Sequence, residues 1–130
     1  MPGTDFALGP YMTAIEDAEL IEAVIVPRRS ASERWGHYKV ARKTGEYAES
    51  MAIALIDKAR GYARLVVGAT DGAPLVLERS SREIAAGNSG SGLAAIIRGE
   101  IADSGRDFPP EKLLLHCTTA VRAVANTDKR

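Results

Sequence analysis

The chain has a single cysteine, Cys117, among its 130 residues. No disulfide can close within it and no multi-cysteine zinc or iron–sulfur site can be built, which fits a reducing cytoplasm. Net charge is missing as well: 17 Lys and Arg cancel 17 Asp and Glu, so no global field draws in nucleic acid or anionic lipid. Aromatics are scarce, with two Phe and one Trp, too few for a platform on which bases stack. No apolar run approaches a bilayer span, and the N-terminus has no basic stretch followed by an apolar one. The composition thus predicts a soluble, cytoplasmic chain with neither a nucleic-acid nor a membrane partner. At this length it makes one domain, burying roughly two thirds of its unfolded surface around a single core.

The motifs of common chemistries are absent too. His37 and His116 are the only histidines, far apart and on different kinds of element, with no His-Glu-x-x-His spacing to hold a metal. His116 reads as a semi-buried structural residue, and Cys117 as a small buried apolar one. The two do not make a dyad, because neighbours on a helix point about 100° apart. No Gly-x-Ser-x-Gly elbow and no Gly-x-Gly-x-x-Gly after a strand occur. The one low-complexity patch, GNSGSG at residues 87–92, lacks the Gly-Lys-Ser/Thr ending of a phosphate loop and follows a helix, so it reads as a flexible interhelical loop. No catalytic residue and no metal ligand is assigned.

What is present has a clear order. Residues 13–21 read as a short acidic helix or turn, and residues 22–27 (EAVIVP) as a strand closed by Pro27. A polar linker, 28–34, leads to a strand over 36–42 that places Tyr38, Val40 and Arg42 on one face and His37, Lys39 and Ala41 on the other. Thr44 and Gly45 then offer a turn. In residues 47–58 helix propensity competes with an alternation in which Met51, Ile53 and Leu55 are spaced by Ser50, Ala52 and Ala54. A strand whose small face packs closely on another layer suits that alternation, and the segment is expected to be a strand. Residues 63–67 and 75–78 are one interrupted strand or two short ones around the loop 68–74.

From Ser80 the pattern turns helical. Ser80 or Ser81 caps a short helix that runs to Ala86 and stops at Gly87. Leu93, Ile96, Ile97 and Ile101 mark a second helix over 93–104. Pro109 and Pro110 open a third, with Leu113, Leu114, Cys117, Ala120, Val121 and Val124 as its apolar positions. The predicted fold is α+β: an antiparallel meander of three to four strands followed by three helices packed on one face.

Charge is segregated along the chain. Before Pro27 come Asp5, Glu16, Asp17, Glu19 and Glu22 with no Lys or Arg; then Arg28, Arg29, Arg34, Lys39, Arg42 and Lys43 follow, with Glu33 the only acid until Glu46. The dense group Lys39, Arg42, Lys43 and Glu46 admits two readings. One is a solvated hairpin whose exposed pairs contribute about 0–1 kcal/mol each. The other is an anion-facing surface.

The stretch 35–49, WGHYKVARKTGEYAE, resembles the C-terminal domain of the flavin-binding medium subunit of molybdenum hydroxylases, the carbon monoxide dehydrogenase and xanthine dehydrogenase type. In that family the pattern runs roughly K-x-x-R-R-x-G-D-F-A. Lys39, Arg42, Gly45 and Ala48 match it, and Lys43, Glu46 and Tyr47 are conservative replacements. Asp5, Phe6, Gly9, Thr13, Glu19, Leu20 and residues 24–27 resemble the lead-in to the domain, and residues 63–68 with Pro74 its next strand, so the likeness covers about residues 5–88. Lys43 departs from the family's second arginine and loses its bidentate geometry. The last helix lacks the family's Tyr-Arg opening.

The resemblance implies a division into 1–27, a remnant like the end of the FAD-binding domain, 28–126, the C-terminal-like domain, and 127–130, a frayed tail. It implies that Lys39, Arg42, Lys43 and Glu46 approach FAD, where cations favour the negative charge of the reduced ring and the carboxylate orients them. FAD is expected only with a partner supplying the missing flavin domain, since the pyrophosphate-binding glycine loops lie outside this sequence. Implied partners are that FAD-binding polypeptide, a molybdenum large subunit and an iron–sulfur small subunit. The chain is then an accessory domain of an oxidoreductase, inactive alone. The alternative is a non-catalytic interaction or scaffold domain that keeps the fold. Self-association is expected through the apolar strand 24–26, a surface that the resemblance implies is buried in relatives, since an exposed apolar edge strand invites pairing by backbone hydrogen bonds.

Overall fold

The computed structural model describes residues 1–129. A one-turn helix α1 (Gly3–Phe6) and a small hairpin, β1 (Ala7–Gly9) with β2 (Met12–Thr13), come first. The body is a four-stranded antiparallel meander in the order β3 (Glu33–Val40), β4 (Ser50–Asp57), β5 (Tyr62–Gly68), β6 (Leu75–Val76). Helices α2 (Glu78–Ala85), α3 (Gly90–Ala102) and α4 (Pro110–Ala125) follow, and α2 and α4 lie directly on the sheet. The α+β meander with three helices on one face is thus as predicted. Among the described residues, no helix is long and apolar enough to cross a membrane.

The alternation in β4 decides how close the layers come. Ser50, Ala52, Ala54 and Ile56 are buried beneath the helices, while Ile53 on the other side is exposed. Across the layer, α4 answers with Ala120 and Ala123, both fully buried, so small side chains meet small side chains. Gly36 on β3 takes this furthest: a Cβ there would sit 2.1 Å from the Ala123 carbonyl oxygen and 2.7 Å from the Thr127 nitrogen. Leu65, Val67, Leu77, Ile97 and Ile101 fill the rest of the core.

Turn chemistry sets the connections. Asp57 accepts the Arg60 N–H across the 3₁₀ turn Lys58–Arg60, which Gly61 closes at φ +59°. The same carboxylate accepts Ser30 Oγ at 2.5 Å and Ser32 Oγ at 2.8 Å, pinning the linker to the sheet. These bonds hold its pKa below the usual aspartate range, Ser30 foremost, against the opposing effect of burial.

Several expectations are corrected. Residues 22–27 form no strand; Val24, Ile25 and Val26 are extensively exposed, because a strand needs a partner and no neighbour offers one. Of the two forms open to residues 13–21, helix or turn, the structure has the turn, and the first buried residue of the whole chain is Gly36. Helix α2 begins at Glu78, two residues before the expected cap. Its first turn is capped from α3 instead, where Glu100 accepts the N–H groups of Arg79 and Ser80 at 2.7 Å and Ser80 Oγ at 2.6 Å. Helix α3 starts inside the glycine patch, at Gly90. Where a frayed tail was expected, Asn126–Lys129 makes a 3₁₀ turn with Thr127 buried; Arg130 lies outside the described residues.

Candidate functional site

The β3–β4 hairpin carries all four residues assigned from the sequence. The strand ends at Val40, so Arg42 stands on a broad turn of residues 41–49 rather than on the face it was expected to share with Tyr38. Gly45 reverses the chain at φ +89°. Lys39, still on β3, donates from Nζ to the Glu46 carbonyl at 2.8 Å. Arg42 Nε lies 3.8 Å from Glu46 and 3.4 Å from Glu49, with its side chain 80% exposed. Lys43 is exposed and makes no ion pair among the described residues. Lys39, Arg42 and Glu46 are therefore brought together, and Lys43 stands apart.

Glu49, one of the local charges of residues 35–49 but not among the four assigned residues, is the hub of this group. Lys112 of α4 donates to its carboxylate at 3.0 Å and to its backbone carbonyl at 2.8 Å. The Lys112 hydrogen bond and then its charge hold the Glu49 carboxyl below the ordinary range against the opposing effect of burial, with a lesser contribution from Arg42. A chain of contacts Arg42–Glu49–Lys112 thus fastens the charged turn to the helix layer. No spacing in the sequence signals it, because Lys112 lies 63 residues beyond Glu49.

One residue further on, Ser50 meets His116. Ser50 Oγ is 2.8 Å from His116 Nδ1, and both residues are fully buried. His116, expected semi-buried, is sealed under Phe108, whose ring packs edge-on at 5.0 Å. Its Nε2 is buried with no hydrogen-bond partner among the described residues. Burial above all lowers its pKa, helped by the charges of Lys112 and Arg106 and opposed by Asp71. A Ser–His pair closed to solvent cannot reach a substrate; it is structural. Cys117 is buried and its thiol pKa raised by that burial, so the reactive thiolate is disfavoured. His37 is on the opposite face of the sheet, exposed, its carbonyl accepting from Asn126 Nδ2 at 2.9 Å. Among the described residues no cluster of His, Cys, Asp and Glu is placed to hold a metal.

The hairpin adjoins the face of the sheet that the helices leave alone. By register, Trp35, His37 and Lys39 stand beside Leu55, Ile53 and Met51, followed by Arg64, Val66 and Gly68 on β5. Tyr38 points the other way and is held by Arg122, whose guanidinium stacks 5.0 Å from its ring centre and donates to its hydroxyl. A cavity of about 550 Å³ opens at the far end of β4, between Ile56, Ile84, Leu93 and Val124, and touches none of the four assigned residues. Three cations and two carboxylates on an exposed turn interact weakly in water. Covered by a partner of low dielectric, the same charges would act strongly on an anion.

No protein-family model matches the chain. Among known proteins it is 30% identical, over 80 residues, to the carbon monoxide dehydrogenase medium chain of Hydrogenophaga pseudoflava, a stretch equal to 61% of this chain and 28% of that one. Its fold matches a chain of carbon monoxide dehydrogenase from Hydrogenophaga pseudoflava lacking the Mo-pyranopterin moiety, with a TM-score of 0.81 and 21% identity over 96% of this chain and 47% of the other. It also matches quinoline 2-oxidoreductase from Pseudomonas putida 86, with a TM-score of 0.76 and 23% identity over 97% and 47%. The resemblance to the carbon monoxide dehydrogenase medium subunit is borne out by the sequence relative, and the solved structures share the fold. The chain spans under a third of that relative and about half of those structures.

Proposed function

We propose that this chain is an accessory domain of a flavin-binding oxidoreductase subunit, completing an FAD site or a subunit contact in a molybdenum hydroxylase-type assembly. The observation that carries this reading is the fold match: nearly the whole chain corresponds to about half of a carbon monoxide dehydrogenase chain. The half not represented here is where the family resemblance puts the glycine loops that grip the FAD pyrophosphate. The chain then acts as a lid. Lys39, Arg42 and Lys43 would sit near the negative charge of the reduced flavin, with Glu46 and Glu49 orienting the arginine. Lys112 would hold the turn to the body of the domain.

In this role the chain alone binds no FAD, because the anchoring contacts belong to a partner polypeptide. The test mixes the chain with a separately produced flavin domain, such as the remaining portion of the Hydrogenophaga medium chain, and follows both on gel filtration with flavin absorbance. Co-migration with bound flavin supports the accessory role. Tight stoichiometric FAD binding by the isolated chain contradicts it. Association without any gain in flavin binding favours the scaffold alternative, in which the fold is kept and the redox role lost.

A further inference from the structure

Two surfaces of this chain match each other in polarity and oppose each other in charge. The first is residues 20–26, LIEAVIV, with Val24 79%, Ile25 92% and Val26 78% exposed. Among the described residues, no backbone–backbone hydrogen bond involves residues 20–29. Such a β-branched run left unpaired in water is a contact surface waiting for its cover. The second is the outer face of the sheet, where Trp35, Met51, Ile53, Leu55 and Val66 form an apolar floor without a helix over it. Ile53 at its centre is 45% exposed.

Charge complements this match. Residues 1–27 contain five acids and no Lys or Arg, and Glu16, Asp17, Glu19 and Glu22 make no ion pair among the described residues. The outer face presents Lys39 and Arg64, which also lack a carboxylate partner there, beside His37. Within one chain the two surfaces do not cover each other: residues 24–26 and Ile53 are all exposed, while Ser30 and Ser32 tie the following linker to Asp57 at the end of β4. Addition to the β3 edge is hindered as well, because Asn126 occupies the His37 carbonyl.

We propose that two copies of this chain pair by exchange, each laying residues 20–26 across the outer sheet face of the other, with Glu19 and Glu22 toward Arg64. The arrangement is two-fold and self-complementary. It goes beyond the accessory role and does not rest on it.

Sedimentation equilibrium of the full chain tests this. The unmodified chain is expected to be dimeric, and Val24→Asp with Ile25→Asp, or Ile53→Asp alone, should weaken dimerisation by at least about tenfold. Far-UV circular dichroism checks that these exposed substitutions leave the fold intact. Arg64→Glu should weaken the dimer, and adding Glu19→Arg and Glu22→Arg should restore it. In a Cys117→Ala background, chains carrying Ile25→Cys should form a mixed disulfide with chains carrying Ile53→Cys. A strict monomer at high protein concentration overturns the proposal, as does a dimer indifferent to all of these changes or a mixture of the two cysteine chains that yields no 25–53 cross-link.

Discussion

Replacing Gly36 by Ala adds one methyl group at the tightest point of the molecule. The ideal Cβ position lies 2.1 Å from the Ala123 carbonyl oxygen and 2.7 Å from the Thr127 nitrogen, both backbone atoms. A flexible side chain could swing aside; a helix terminus cannot move without dragging α4, whose Ala120 and Ala123 are fully buried on the sheet. Overpacking of a core by a methylene typically costs about 1–3 kcal/mol, and the absence of any yielding neighbour puts this case at the upper end or beyond. For a domain of this size about 3 kcal/mol lowers Tm by on the order of 10 °C. Gly92 provides the control: it lies in α3 with nothing within 4 Å of its ideal Cβ, so Gly92→Ala should stabilise by up to about 1 kcal/mol through helix propensity. Urea unfolding of the two variants beside the parent measures both. A Gly36→Ala protein within about 0.5 kcal/mol of the parent would refute the close approach of α4 to β3.

The remaining predictions concern the polar anchors. His116 has a pKa lowered in the folded state from its ordinary 6.5, so the unfolded chain takes up its proton first; the stability it contributes is present above about pH 6.5 and lost as pH falls toward the folded value. Urea midpoints from pH 8 to pH 5 should therefore fall, and fall less in His116→Gln. Lys112→Met removes both bonds to Glu49 and should lower the urea midpoint, raise the Glu49 pKa toward normal by NMR titration, and speed amide exchange at Glu49, whose N–H is bonded to Val40. Arg42→Ala, at an exposed pair, should change stability by less than about 1 kcal/mol. Glu100→Ala leaves two N–H groups of α2 uncapped and should cost about 1–2 kcal/mol in the same unfolding assay.

Where the sequence predicted structure well, the signal was local. The alternation of Ser50, Ala52 and Ala54 with Met51, Ile53 and Leu55 suited a strand for β4 against helix propensity, since a strand sorts alternate side chains onto two faces, and the family resemblance implied the same. Pro110 opened α4 where it stood, and Leu93, Ile97 and Ile101 fell on the buried face of α3. The failures were tertiary. Glu100 took over the capping that Ser80 was expected to provide, and the acceptor came from another helix. The segment 22–27 had every local mark of a strand except a neighbour to pair with. At the candidate site, Lys39, Arg42 and Glu46 were readable as a charged hairpin, whereas the bond that makes Glu49 a link to the helix layer comes from Lys112 on a distant element.

The proposed function requires that the hairpin charges act on a bound flavin. Fluorescence titration of FAD into an equimolar mixture of this chain and a flavin-domain polypeptide measures that directly, with the chain either unmodified or carrying Arg42→Ala and Glu46→Ala together. Removing one charged hydrogen-bond partner at a partly buried site costs on the order of 1–3 kcal/mol, so the Kd should rise by about tenfold or more in the double variant. Equal affinity with the unmodified and doubly substituted chains would contradict the roles given to these residues, and an FAD affinity of the flavin domain unchanged by adding this chain at all would contradict the accessory function itself.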